Sequence, residues 1–372
     1  MPRELADHPE VLYGAAVALL IVILLTPAVG GMARLLGVVD VPDRRRLNLN
    51  PIPRLGGIAI FFGIFVPALA FLDLSGPWRG VLLGAAIATV VGAIDDFRAL
   101  GPWPKLGGQV LAATVAISFD VWIDRFTFPG LGVQELSAWV GMPLTLLWMV
   151  ALMNMVNFLD GLDGLAAGVC AISGATFAVI ALSVERPQPA ILAAIVAGAC
   201  VGFLRHNFYP ARIFMGDSGA LCLGFLLAAL SVQGLLKTAS TVVLFWPLLV
   251  LAVPIIDTSF VVARRLKHGE RIFAADQAHL HHRFLRRGFT QRRAAVTMWA
   301  WCATLAAAAL ATRFIPFRAG GEWHLWETAA ATAIGLVALG FSVYVVYLLE
   351  IVKLANPRVR KVEEAPRHRR AV

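Results

Sequence analysis

The stretch Asn154-Met-Val-Asn-Phe-Leu-Asp-Gly-Leu-Asp-Gly-Leu-Ala-Ala-Gly168 decides how the chain is read. It carries two carboxamides, Asn154 and Asn157, and two carboxylates, Asp160 and Asp163. Apolar sequence runs into it from Trp139 and out of it to Leu182. Such groups are costly to bury in these surroundings unless they bind something. Gly161, Gly164 and Gly168 punctuate the stretch and let backbone approach a ligand closely.

Outward from it, 59% of the 372 residues are hydrophobic and 15% are charged, whereas a soluble domain usually carries about 25% charge. The composition predicts an all-α polytopic integral membrane protein. A span needs about 20 apolar residues, fewer where helix ends are buried in protein. Roughly eleven runs qualify: 11–33, 56–72, 79–94, 106–123, 139–157, 164–183, 190–204, 218–236, 240–262, 294–312 and 326–349. They form one membrane-embedded domain, 1–352, followed by a basic tail, 353–372. The run from Val11 is long enough to span and follows no basic leader, so it reads as a retained helix. The four cysteines stand singly in apolar runs and read as inert small hydrophobes. No basic stretch interleaved with aromatics supports nucleic-acid binding.

Lysine and arginine give the orientation. Loops after the odd-numbered spans, with the tail, hold 25 of the 32 basic residues. That side is expected to be cytoplasmic, with the N-terminus outside and the C-terminus inside. All the polar constellations fall on it. The opposite loops, such as 124–138, look like connectors, and no internal repeat points to an inverted-repeat transporter.

Four constellations accompany the opening stretch. In Gly92-Ala-Ile-Asp-Asp-Phe-Arg98, Asp95 and Asp96 end a span and point about 100° apart on a helix, so they are expected to do different jobs. A solvated helix end paired with Arg98 is the plainer reading. Lys105 opens the next span and could meet a phosphate as a point charge. In Arg205-His-Asn-Phe-Tyr-Pro-Ala-Arg-Ile-Phe-Met-Gly-Asp217, the carboxylate of Asp217 heads a span; it could cap the helix or hold Mg²⁺ with an oxygen from Asn157. Phe214 could pack at the interface or stack on a base, and Asn207 is a further binding candidate. In Asp276-Gln-Ala-His-Leu-His-His-Arg283, the cluster of His279, His281, His282 and Arg283 suits an anionic, phosphate-rich ligand better than zinc. The loop Asp40-Val-Pro-Asp-Arg-Arg-Arg46…Pro51-Ile-Pro-Arg54-Leu-Gly-Gly57, with Arg45 and Arg46 as candidates, could gate lipid phosphate entry or anchor to headgroups. Asp257, inside an apolar run, has no role that the pattern supplies.

These elements fit phosphoryl transfer, which needs positioning and charge neutralisation more than covalent chemistry. Two other classes compete. A transporter would place its acids near the bilayer midplane, and a headgroup-binding protein would not need Asn157 and Asp217 together.

In order and spacing, over about residues 37–300, Gly-Ala-Ile-Asp95-Asp96 with Lys105, Asn154-x-x-Asn157-Phe-Leu-Asp160-Gly-Leu-Asp163-Gly-Leu-Ala, Phe214-Met-Gly-Asp217-Ser-Gly and His279-Leu-His281-His282-Arg resemble one family. It is the polyprenyl-phosphate N-acetylhexosamine-1-phosphate transferases. The first-loop motif and the His-Leu-His-His form bring the resemblance nearer to the bacterial undecaprenyl-phosphate branch that uses UDP-N-acetylglucosamine than to the branch that uses UDP-MurNAc-pentapeptide. The resemblance implies an enzyme of the bacterial cytoplasmic membrane, with its active site on the cytoplasmic face. It would transfer sugar-1-phosphate from UDP-N-acetylhexosamine to polyprenyl phosphate, release UMP and initiate a cell-envelope polysaccharide. It also implies Mg²⁺, with Mn²⁺ as a candidate substitute, and related enzymes suggest a homodimer.

By the same resemblance, Asp217 is the main Mg²⁺ ligand with Asn157 near it. Asp163 and Phe214 lie at the uracil and Lys105 at the diphosphate. Asp95 and Asp96 lie near the lipid phosphate, Asp95 assisting its deprotonation. His279, His281 and His282 with Arg283 close over sugar and diphosphate. Asn154 and Asp160 stay open between ligand contact and scaffold. Two positions depart from the family pattern: Asn48, where His is common, and Ala220, where Ser is common.

Overall fold

A computed structural model describes residues 2–41, 51–128, 132–236, 245–268, 279–315, 318–319, 322–323 and 325–349. The expectations for Arg45, Arg46, Asn48 and the tail 353–372 lie outside the described residues.

The described residues are helical almost throughout. A short α1 (Pro2–Asp7) leads into α2 (Glu10–Leu35), α3 (Gly56–Phe71), α4 (Pro77–Phe97), α5 (Pro102–Ser118) and α6 (Ala138–Leu159). Then come α7 (Leu165–Ser183), α8 (Pro187–Asn207) and α9 (Gly216–Leu230), which continues as a π-turn over Ser231–Leu236. The remaining helices are α10 (Phe245–Val250), α11 (Ala252–His268), α12 (Leu280–Arg286), α13 (Gln291–Phe314) and α14 (Leu325–Leu348). Eight helices among the described residues are long and apolar enough to cross a membrane. The chain is thus an all-α, multi-pass membrane protein.

Three expected spans differ in detail. Runs 56–72 and 106–123 are helices of 16 and 17 residues. Run 240–262 is not one helix: it breaks at Leu251 between α10 and α11. Pro254 lacks the N–H that would bond to Val250 and its ring crowds that carbonyl, so an unbroken helix is disfavoured there. α11 then runs on to His268, with Arg264, Arg265 and Lys267 in its last turns. Three two-stranded hairpins interrupt the helical pattern: β1 (Val39–Asp40) with β2 (Ile52–Pro53), β3 (Arg125–Phe128) with β4 (Gly132–Glu135), and β5 (Arg318–Ala319) with β6 (Glu322–Trp323). The β3–β4 hairpin occupies the stretch read as a plain connector.

α9 is the central post. It is apolar all round and almost wholly buried, as such a helix must be. α4 and α6 pack along it and α3 crosses its start; α7 and α8 pack on each other beside it, and α2 packs on α8 and α3. Several buried hydroxyls bond within their own helices: Thr89 Oγ1 donates to Ala85 O at 2.7 Å and Thr145 Oγ1 to Gly141 O at 2.7 Å. Internal satisfaction of this kind is required where water is absent.

The opening stretch has two faces. Leu159, Leu162 and Leu165 recur every three residues and enter a core with Phe284 of α12 and Met298 and Trp301 of α13. Asn157, Asp160 and Asp163, on the same spacing two residues earlier, face a cavity instead. The apolar stripe therefore seats the polar one.

Candidate active site

The C-terminal ends of α4, α6 and α8 and the N-terminal ends of α5, α7 and α9 meet on one face. Antiparallel neighbours joined by short loops produce this, and side chains lock the ends together. Asp96, at the end of α4, accepts from the N–H of Asp217 at 2.9 Å, the N–H of Ser218 at 3.0 Å and Ser218 Oγ at 2.8 Å. It caps α9 from a different helix. A side-chain cap contributes about 0.5–2 kcal/mol. Both carboxylate oxygens of Asp96 are thereby engaged, which separates its job from that of Asp95.

Asp95 accepts from Lys105 Nζ at 3.0 Å and from the N–H of Leu100 at 2.5 Å. Lys105 also pairs with Asp217 Oδ2, so its ammonium bridges two carboxylates. Asn157 Nδ2 donates to Asp217 Oδ1 at 2.6 Å. Asp95, Lys105, Asn157 and Asp217 thus form one cluster drawn from four helices.

A cavity of about 350 Å³ opens beside this cluster. Its walls include Asn157, Asp160, Asp163, Asn207, Phe214, Asp217 and His282, all expected from the sequence. They also include Asp40 and Arg54, which belong to the loop quoted above without being singled out as candidates, and Gln291, which no sequence pattern marked. Burial pushes the Asp160 carboxyl up to about 7, reinforced by the charges of Asp217 and Asp96 and opposed by Arg54. Burial also raises Asp163, against a 2.9 Å hydrogen bond from the N–H of Ala211. Asn207 ties the start of α7 to the following loop: its Oδ1 accepts from the N–H of Gly164 at 3.0 Å and its Nδ2 donates to Ile213 O at 2.9 Å.

Asn154 lies a turn deeper and does not reach the cavity wall. Its amide pairs with Gln109 of α5 in both directions, Nδ2 to Oε1 at 2.7 Å and Oδ1 from Nε2 at 3.3 Å. It clasps two helices.

The histidine segment divides. His281 is buried against Gly161, where a Cβ would lie 2.5 Å from its Cε1. Neither of its ring nitrogens has a hydrogen-bond partner among the described residues. Burial, then His282 and His279, push its imidazole well below the usual range. Arg283 is not among the cavity's lining residues: its Nη1 donates to Leu349 O at 3.0 Å and its guanidinium lies 4.3 Å over the Phe260 ring.

Asp257 gains a clear place. Fully buried in α11, it accepts from His279 Nδ1 at 3.0 Å and from the N–H of Leu280 at 2.7 Å. It therefore holds the start of α12, and through it His281 and His282, against the cavity. Asp257→Ala would leave a buried imidazole N–H and a main-chain N–H unpartnered, a cost of about 1–3 kcal/mol for each group. We expect turnover to fall by about 10–100-fold, as when a supporting contact behind an active group is lost, while Asp257→Asn, still an acceptor, keeps most of it. Steady-state rates and thermal unfolding of both variants check this; equal rates for Asp257→Ala and the wild type would show that α12 is held elsewhere.

The donor set fits a hard, oxygen-preferring cation. Among the described residues no three His, Cys, Asp or Glu side chains are grouped to hold a metal by themselves. Asp217 and Asn157 instead offer the one or two protein oxygens typical of Mg²⁺, which takes its other ligands from water and substrate phosphates. Lys105 already places positive charge against Asp217, so the carboxylate faces a position suited to a cation.

Comparison with known proteins gives the chain's relatives. Residues 78–235 match the model of glycosyl transferase family 4. The chain is 37% identical over 284 residues to a probable undecaprenyl-phosphate N-acetylglucosaminyl 1-phosphate transferase of Bacillus subtilis, covering 76% of this chain and 79% of that protein. It is 34% identical over 345 residues to the decaprenyl-phosphate N-acetylglucosaminephosphotransferase of Mycobacterium leprae, covering 84% and 87%. More distantly, it is 35% identical over 334 residues to a phospho-N-acetylmuramoyl-pentapeptide-transferase of Desulforudis audaxviator, covering 81% and 97%. The fold and these relatives define a membrane-embedded phosphotransferase. The chain belongs to the polyprenyl-phosphate N-acetylhexosamine-1-phosphate transferase family.

Proposed function

We propose that the chain transfers N-acetylglucosamine-1-phosphate from UDP-N-acetylglucosamine to a polyprenyl phosphate at the cytoplasmic membrane face, with Mg²⁺. The observation that carries this reading is the convergence of Asp217, Asn157, Lys105 and Asp95 beside a polar cavity at the ends of membrane helices. A site at such ends suits one lipid-borne and one water-soluble substrate. The names of the relatives support the sugar and the lipid class, and the basic loops after odd-numbered spans support the face.

An oxygen of the lipid phosphate attacks the phosphorus that bears the sugar. The new P–O bond forms as the bond to the bridging oxygen breaks, and UMP leaves with that oxygen. A monoester phosphate has its second pKa near about 6, so the nucleophile is already ionised at neutral pH. Asp95, engaged by Lys105 and Leu100, then serves more to hold the ammonium than to take a proton. Asp217 and Asn157 would hold Mg²⁺, which neutralises charge on the diphosphate and the leaving UMP. Asp163 and Phe214, which also line the cavity, would take the nucleoside. His282 lines the cavity where sugar or diphosphate would lie.

Purified protein with Mg²⁺, undecaprenyl phosphate and UDP-N-acetylglucosamine is expected to release UMP. Release with UDP-MurNAc-pentapeptide alone would move the chain to the other branch. No UMP from any UDP-sugar would overturn the transferase reading.

A further inference from the structure

The cavity is lined by four carboxylates, Asp40, Asp160, Asp163 and Asp217, yet on the reading above it must admit phosphates. Arg54 is the one Lys or Arg side chain among the described residues of its wall. Lys105 is not part of the wall, and its ammonium is already committed to Asp95 and Asp217.

Arg54 is the opposite case. Among the described residues its one carboxylate contact within 4 Å is Nη1 to Asp40 Oδ1 at 4.0 Å, beyond hydrogen-bond reach, and it acts on Asp160 only through its charge. Its Nε is buried with no hydrogen-bond partner among the described residues. A guanidinium has five donors in a rigid fork that matches phosphate oxygens two at a time, and here they are largely uncommitted.

Its main chain is held firmly against the catalytic cluster. The N–H of Arg54 donates to Val38 O at 3.1 Å. On either side, Phe214 N–H donates to Pro53 O at 2.9 Å and Gly56 N–H to Phe214 O at 3.0 Å. Arg54 therefore keeps a fixed position relative to Phe214 and Asp217. The next residue, Leu55, is fully buried and left-handed at φ 74°, a conformation that a bulky side chain rarely adopts. Such strain tends to mark places where geometry is being held for use.

We infer that Arg54 is a phosphate-anchoring residue of this cavity, taking a substrate phosphate on its uncommitted guanidinium edge while Asp40 steadies it from the wall. The inference rests on the transferase reading. The phosphate belongs either to the nucleotide sugar or to the lipid, and the experiment separates the two.

Wild type, Arg54→Gln and Arg54→Lys are compared in reconstituted membranes, varying each substrate in turn. Arg54→Gln is expected to raise KM by about tenfold or more for one phosphate substrate, the usual effect of losing a charge-assisted pair, with kcat changed less than threefold. The substrate whose KM moves identifies the phosphate. Arg54→Lys is expected to recover part of the loss, because it keeps the charge without the fork. Both KM values within twofold of wild type would overturn the assignment. So would Arg54→Gln raising both KM values alike with a marked fall in unfolding temperature, since Arg54 would then be a strut of the hairpin. An inactive wild type overturns the transferase reading; an active wild type with an indifferent Arg54→Gln overturns this assignment alone.

Discussion

Asp217→Asn is expected to fold and yet lose turnover by about 10³-fold or more, the scale of several kcal/mol of lost charge neutralisation. The fold should survive because the amide has the same shape. It can still accept from Asn157 Nδ2, and the cap on α9 uses the main-chain N–H of residue 217 and not its side chain. What disappears is the negative charge. Lys105 keeps one partner, Asp95, and the position suited to a cation loses its strongest oxygen donor. The measurement is UMP release against Mg²⁺ concentration, with thermal unfolding alongside. A near-native rate that still depends on Mg²⁺ would place the metal elsewhere.

Gly57→Ala is expected to damage the fold itself. The N–H of Gly57 donates to Met215 O at 2.8 Å, bringing the start of α3 onto the start of α9. A Cβ there would lie 2.5 Å from the carbonyl carbon of Ser218 and closer still to the main chain of Gly219. No rotamer relieves a clash between backbones, so α3 and α9 must separate. Overpacking of this kind costs about 1–3 kcal/mol, occasionally more. Asp217 sits in the displaced turn, and a 1 Å misplacement near the chemistry can cost about 10²-fold in rate. Gly335→Ala in α14 is the control, because a Cβ there meets nothing within 4 Å. Unfolding temperature and turnover should both fall for Gly57→Ala and stay level for Gly335→Ala. Equal behaviour of the two would show that α3 has slack against α9.

Much of this architecture was legible in the residues. Long apolar runs announce helices because the bilayer allows few alternatives, and the runs from Val11 and from Trp139 became α2 and α6. The polar stretch 154–168 was legible as a site because carboxylates in apolar surroundings need a reason. The pairings were not legible. Asp96 caps residues 121 and 122 positions away, Asn154 pairs with Gln109 across 45, and Arg283 reaches Leu349 across 66. Nothing local in the chain signals which distant backbone group a carboxylate or guanidinium will meet. Asp257 shows the same limit: its position inside an apolar run was plain, but its partners His279 and Leu280 became visible only when α12 folded back onto α11. The break at Leu251 did have a signal, in Pro254, that length and hydropathy outweighed.

The cap that Asp96 places on α9 has a mechanical consequence. Bilayers differ in thickness, and helices respond by tilting. An active site assembled from the tips of separate helices would spread or close with every such adjustment. Here the end of α4 is bonded to the first turn of α9, and the start of α3 is bonded to the residues just before it. The tips therefore tilt as one body, and the spacing of the reacting groups is insulated from the membrane that surrounds them.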